Sequence, residues 1–106
     1  MNLKDKIIYI AGPMRGMPDL NVFSFQMAEH MLRAKGARVL NPAILPTDLP
    51  QESYMPICLA MLGQAEAIAL LPGYNKSQGA NLELSFAWMT GKETIKISED
   101  FKILGE

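Results

Sequence analysis

At 106 residues, with 49% hydrophobic and 20% charged side chains, the chain has room for one small core and is too apolar to stay disordered. A net charge of −1, a pI near 5.8 and scattered Lys and Arg exclude a surface for polymeric nucleic acid. Cys58 and His30, each the only residue of its type, exclude an internal disulfide and a cysteine- or histidine-rich metal centre.

Ile7-Ile8-Tyr9-Ile10-Ala11 is an apolar, β-rich run stopped by Gly12-Pro13 and reads as a buried strand. The segment from Met14 to Leu20 contains Gly16 and Pro18 and is a loop. Asp19 or Asn21 can then cap a helix to about Lys35, whose Phe25, Ala28 and Leu32 share a core-facing side, with Gly36 as its stop. Ala37 to Leu40 is a second strand, and Ala43 to Pro50 is irregular. Gln51 to about Leu62 is a second helix that Pro56 either interrupts or enters in its first turn. Ala67 to Leu71 is the most continuous apolar run and the expected central strand. Pro72 to Lys76 is a loop, Gln78 to Thr90 a third helix ended by Gly91, and Glu93 to Ile97 a last strand. Residues 98–106 read as either a short strand or a loose tail.

Strands alternating with helices predict one domain over residues 1–106. Its fold class is α/β, a three-layer sandwich of the flavodoxin or Rossmann type. The sheet is doubly wound and parallel, and right-handed crossovers give the order 2-1-3-4. Ligands bind such sheets where the strand order reverses, beyond the carboxyl ends of the strands. The loops Gly12 to Asp19 and Pro72 to Gly79 both open there, and Glu83 is predicted to meet Tyr9 through Arg15 at that point. The helix that opens Ser77-Gln78-Gly79-Ala80 offers unpaired N–H groups and a positive dipole end, an anion cradle that Gly79 leaves open. In that field the Glu83 carboxylate is expected to stay ionised readily. A capping serine and a surface glutamate would produce the same stretch for structural reasons alone.

Tyr9-Ile10-Ala11-Gly12-Pro13-Met14-Arg15-Gly16, followed by Ser77-Gln78-Gly79-Ala80-Asn81-Leu82-Glu83, resembles the nucleoside 2-deoxyribosyltransferase superfamily over roughly residues 6 to 97. The likeness is greatest to its short bacterial and phage branch, and the superfamily includes deoxynucleoside 5′-monophosphate N-glycosidases. The resemblance implies that Glu83 is the nucleophile on C1′ of the sugar and that Tyr9 orients it. It implies that Gly12 and Pro13 lie against the sugar, and that Arg15, Gly16 and Ser77 hold a 5′-phosphate. Gly79 and Ala80 would line the substrate, with Tyr74 stacking on its base. Aligning on Tyr54-Met55 and Leu59 puts Cys58 where the family carries the Asp that protonates the leaving base, and a neutral thiol is a poor donor. Asp48 and Glu52 are upstream carboxylates that would have to replace it. Glu66, at the far end of the third strand, reads as structural.

Three functions follow. The first is cleavage or exchange of the N-glycosidic bond of a (deoxy)nucleoside 5′-monophosphate through Glu83, with no metal or organic cofactor. The second, which Cys58 favours, is a nucleotide-binding module that senses or sequesters without efficient turnover. The third is a scaffold for protein contact, against which glycines at both mouths of the switch point argue. His30 reads as a surface histidine, the methionines as core filler, and Trp88 as core or an oligomer contact. Nothing is long and apolar enough for a signal peptide or membrane span, so the expected setting is the cytoplasm, as a homo-oligomer.

Overall fold

The computed structural model describes residues 2–105. Among them four strands, β1 (Ile7–Ala11), β2 (Arg38–Leu40), β3 (Ala67–Leu70) and β4 (Glu93–Lys96), alternate with three helices, α1 (Val22–Ala34), α2 (Gln51–Gly63) and α3 (Gln78–Met89). Every strand pair is parallel and the order is β2-β1-β3-β4, as the alternation of elements predicts. Tyr9 of β1 stands opposite Leu40 of β2 on one side and Ile68 of β3 on the other.

Side chains alternate across a strand, and β1 uses both faces. Ile8 and Ile10 pack with Phe25, Ala28 and Leu32 of α1. Tyr9 and Ala11 turn to the opposite face and pack with Leu62, Ile68, Leu70, Ala80 and Ala87, beneath α2 and α3. Ile8, Ile10, Leu32, Ile68 and Leu70 are fully buried, each contributing roughly 1.5–3 kcal/mol of apolar burial. A core two-sided about one strand explains why β1 and β3 are continuously apolar rather than alternating.

Four local expectations are corrected or resolved. Neither Asp19 nor Asn21 caps α1 through its side chain. Asp19, Leu20 and Asn21 are all left-handed (φ 49°, 52° and 61°), whereas a capping residue needs an extended backbone. The Asn21 side chain instead donates from Nδ2 to the Pro13 carbonyl at 2.9 Å, tying the start of α1 to the loop after β1. Pro56 lies inside a continuous α2, at an exposed position. The C-terminal segment is neither a full strand nor a loose tail. Ile97 and Ile103 form an antiparallel bridge, the Ser98 N–H donates to the Lys102 carbonyl at 2.8 Å, and Phe101 meets Phe23 edge-on at 6.3 Å. Trp88 is 78% exposed on α3 and so is not core.

Candidate active site

A cavity of about 700 Å³ opens at the carboxyl ends of β1 and β3, where the strand order reverses. The loop after β1 supplies Gly12 to Arg15, the 42–47 segment supplies Pro42, Leu45 and Thr47, α2 supplies Gln51, Tyr54, Met55 and Cys58, the loop after β3 supplies Lys76 and Ser77, and α3 supplies Gln78 to Ala80 with Leu82 and Glu83. These walls meet because both strands end at the same level. The Leu71 N–H donates to the Ala11 carbonyl at 2.8 Å, and Gly73 turns with φ 83° beside the Pro13 ring.

Glu83 is the buried acid of this cavity. Ala80, Glu83 and Ala87 share the inward side of α3, and Glu83 is 6% exposed, so it is not a surface glutamate. The Tyr9 hydroxyl, at 0% exposure on the facing strand, donates to Glu83 Oε2. That bond exists because the strand alternation sends Tyr9 to the α3 face. The expectation that Glu83 ionises readily is overturned. It sits in the second turn of α3, past the reach of the helix end, and burial pushes its carboxyl up to about 7 despite the opposing Tyr9 hydrogen bond. Burial, with the negative charge of Glu83 alongside, drives the Tyr9 phenol far above its ordinary value. The Cys58 thiol interacts with both groups, and burial raises it as well.

The start of α3 lines the cavity as the sequence places it. Ser77 is the N-cap of α3 and its Oγ accepts the Ala80 N–H at 3.2 Å. The N–H groups of Gln78 and Gly79, in the first turn, have no intrahelical acceptor. A Cβ added at Gly79 would stand 3.5 Å from Met55 Cε, ordinary contact, so this glycine keeps the cavity open rather than relieving a clash. Gly12 differs: a Cβ there would fall 2.7 Å from Leu71 Cβ, so it is a packing requirement as well as a wall. Arg15 lines the mouth and is exposed.

The structure brings Tyr9, Gly12, Pro13, Arg15, Ser77, Gly79, Ala80 and Glu83 to one cavity. Gly16 and Tyr74 do not line it. Gly16 forms an outlying turn at φ 82°, and Tyr74 packs half-buried on the core beneath α2 and α3 because its short 3₁₀ turn points it inward. Asp48 and Glu52 are exposed and do not line the cavity. Glu66 accepts the Ile7 N–H at 3.1 Å, at the amino ends of the strands and away from the cavity. His30 is exposed. Among the described residues no group of three His, Cys, Asp or Glu side chains could hold a metal ion.

Several lining residues, among them Lys76, Tyr54, Gln51 and Met55, were not named as site residues from the sequence. Lys76 stands beside Ser77 at the cradle, and a cation next to a helix-opening serine was the available signal. Tyr54 donates to the Pro46 carbonyl at 2.5 Å and accepts the Leu49 N–H at 3.2 Å, fastening the irregular segment to α2. Gln51 carries no sequence signal of its own, and both it and Met55 come in with α2.

Comparison with known proteins gives a family and a fold. A family model described as a domain of unknown function (DUF4406) matches residues 6–96. The solved structure of a 2-desoxiribosyltransferase from Leishmania mexicana superposes with a TM-score of 0.70 at 23% sequence identity, over 88% of this chain. The chain spans 64% of that structure's length. The likeness shows a shared α/β fold. No protein with a curated description matches.

Proposed function

The chain belongs to the DUF4406 family of domains of unknown function, and from the geometry of its cavity we propose that it is a glycosyl-transferring enzyme. In this reading it cleaves or exchanges the N-glycosidic bond of a (deoxy)nucleoside 5′-monophosphate through a covalent intermediate on Glu83. The observation that carries the reading is the buried Tyr9–Glu83 pair facing a cavity at the switch point of a parallel sheet. A carboxylate placed there can attack C1′ while the Tyr9 hydroxyl holds the attacking oxygen in place. The cradle of Ser77 and the Gln78 and Gly79 amides, with Arg15 and Lys76 at its rim, suits a 5′-phosphate. The activity for which the Leishmania mexicana transferase is named, on a fold that this chain shares, agrees with sugar chemistry.

A second reading, nucleotide binding without turnover, is favoured by Cys58. The thiol lines the cavity at the position that the resemblance gives to the acid that protonates the departing base, and burial raises it. Several copies associating through the exposed Leu82, Trp88 and Met89 of α3 would fit either reading, since Leu82 also borders the cavity. No helix among the described residues is long and apolar enough to cross a membrane.

The test is incubation with a panel of ribo- and deoxyribonucleoside monophosphates, with free base followed by chromatography and binding by calorimetry. The parent should release base, and Glu83→Gln should lose about a thousandfold or more of that rate while still binding. A near-normal rate in the variant would rule out the covalent mechanism. Binding without base release in the parent would select the second reading.

A further inference from the structure

Resting on that reading, we propose that the substrate is an N-glycoside whose base already carries a positive charge, of the pyridinium or N-alkylated heterocycle class, held as its 5′-monophosphate. The protons of the wall are all committed elsewhere or too tightly held. Among the described residues that line the cavity, Glu83 is the only carboxylate, and a nucleophile that has given its electron pair to C1′ has no proton for the leaving group. The Tyr9 hydroxyl donates its proton to Glu83. The Tyr54 hydroxyl donates its proton to the Pro46 carbonyl. Cys58 offers a thiol that burial makes a weaker acid. The cations Arg15 and Lys76 belong to the loops after β1 and β3, alongside the anion cradle, where a 5′-phosphate engages them rather than the leaving base.

A neutral base leaves as an anion unless a proton reaches it, and a positioned general acid supplies about 100- to 10,000-fold of rate for such a step. A cationic base needs none. A Glu83 carboxylate oxygen forms the bond to C1′ as the C1′–N bond breaks. The electron pair goes to the ring nitrogen, cancels its formal charge and releases a neutral heterocycle. Water then attacks C1′, the Glu83 carboxylate leaves, and the water proton passes to solvent. No oxidant, metal or further reactant enters the balance. The surroundings favour the cation as well. The ionised Glu83 attracts it, and the aromatic Tyr54 is among the residues of the α2 wall. A positive charge delivered beside Glu83 also opposes the burial that keeps its carboxyl protonated.

The experiment compares base release by the full chain from nicotinamide mononucleotide and its 2′-deoxy analogue with release from cytidine and adenosine monophosphates in both sugar forms. The expected result is a preference of about 100-fold or more for the pyridinium substrates, abolished by Glu83→Gln. In Cys58→Asp, checked for folding by circular dichroism, the restored acid should speed neutral-base cleavage and shrink the preference at least tenfold. Comparable rates on neutral-base nucleotides in the parent would overturn the inference and leave the glycosidic reading standing. An unchanged preference in folded Cys58→Asp would overturn it too, because the missing acid would not be its cause. Release of base from none of these substrates would overturn both.

Discussion

Glu83 reaches the cavity from the second turn of α3, where a carboxyl with one hydroxyl partner has lost most of its water. Its ordinary value near 4.5 rises to about 7, so between those limits the folded chain holds a proton that the unfolded chain has released. Stability is therefore greatest below about 4.5 and falls as the pH climbs toward 7, by up to about 3 kcal/mol. Glu83→Gln removes the titration. Its melting temperature should exceed that of the parent at pH 8, with the difference vanishing near pH 4.5, as thermal unfolding across pH would reveal. A constant offset at all pH values would mean that Glu83 is not buried in solution. The same ionisation governs nucleophilicity, so kcat/KM of the parent should rise with pH up to about 7.

The elements that carry the site are held by contacts with little slack. β1 ends at Ala11 because Gly12 lets the chain pass against Leu71, and the following loop is fastened to the start of α1 by Asn21 donating to the Pro13 carbonyl. Three left-handed residues at 19–21 sustain that fastening at about 1–2 kcal/mol each. Gly12→Ala places a methyl 2.7 Å from Leu71 Cβ, and neither backbone-proximal atom has a flexible end to withdraw. The variant should lose about 1–3 kcal/mol, read as a lower urea midpoint, whereas Gly79→Ala should be near neutral in stability because its new methyl finds only Met55 and Ser77 at ordinary distances. Equal losses in the two variants would contradict the close approach at Gly12. Strand identities, helix identities and the stops at Gly36 and Gly91 were legible in the sequence because they rest on local periodicity and on the left-handed backbone that glycine permits. The α1 start was not legible. Asp19 and Asn21 are both good capping types, but both take a left-handed backbone, and the Asn21 side chain is spent on the Pro13 carbonyl.

For the whole molecule the remaining surface question is α3, which presents Leu82, Trp88 and Met89 at 50%, 78% and 82% exposure. Apolar side chains of this size gathered on one helix are more often covered than solvated. The parent should sediment as more than a monomer, and Trp88→Glu combined with Met89→Glu should return it to one; a monomeric parent would remove association as a property of this helix. The α/β class, the strand order and the meeting of β1 with the start of α3 are all written in the order of residues along the chain. Apolar runs, turn residues and right-handed crossovers admit few other arrangements. Glu83 was singled out there too, by its place near the start of the third helix at the switch point, and the roles of Glu83 and Tyr9 came through the resemblance. Packing alone settles what no local pattern encodes: that Glu83 is buried and its carboxyl is pushed up to about 7, that Tyr74 and Gly16 stand outside the cavity, and that α2 brings Gln51 and Tyr54 to its wall while Asp48 and Glu52 stay in water. Burial and charge depend on which neighbours displace water from a side chain, and those neighbours come from strands and helices distant in the chain.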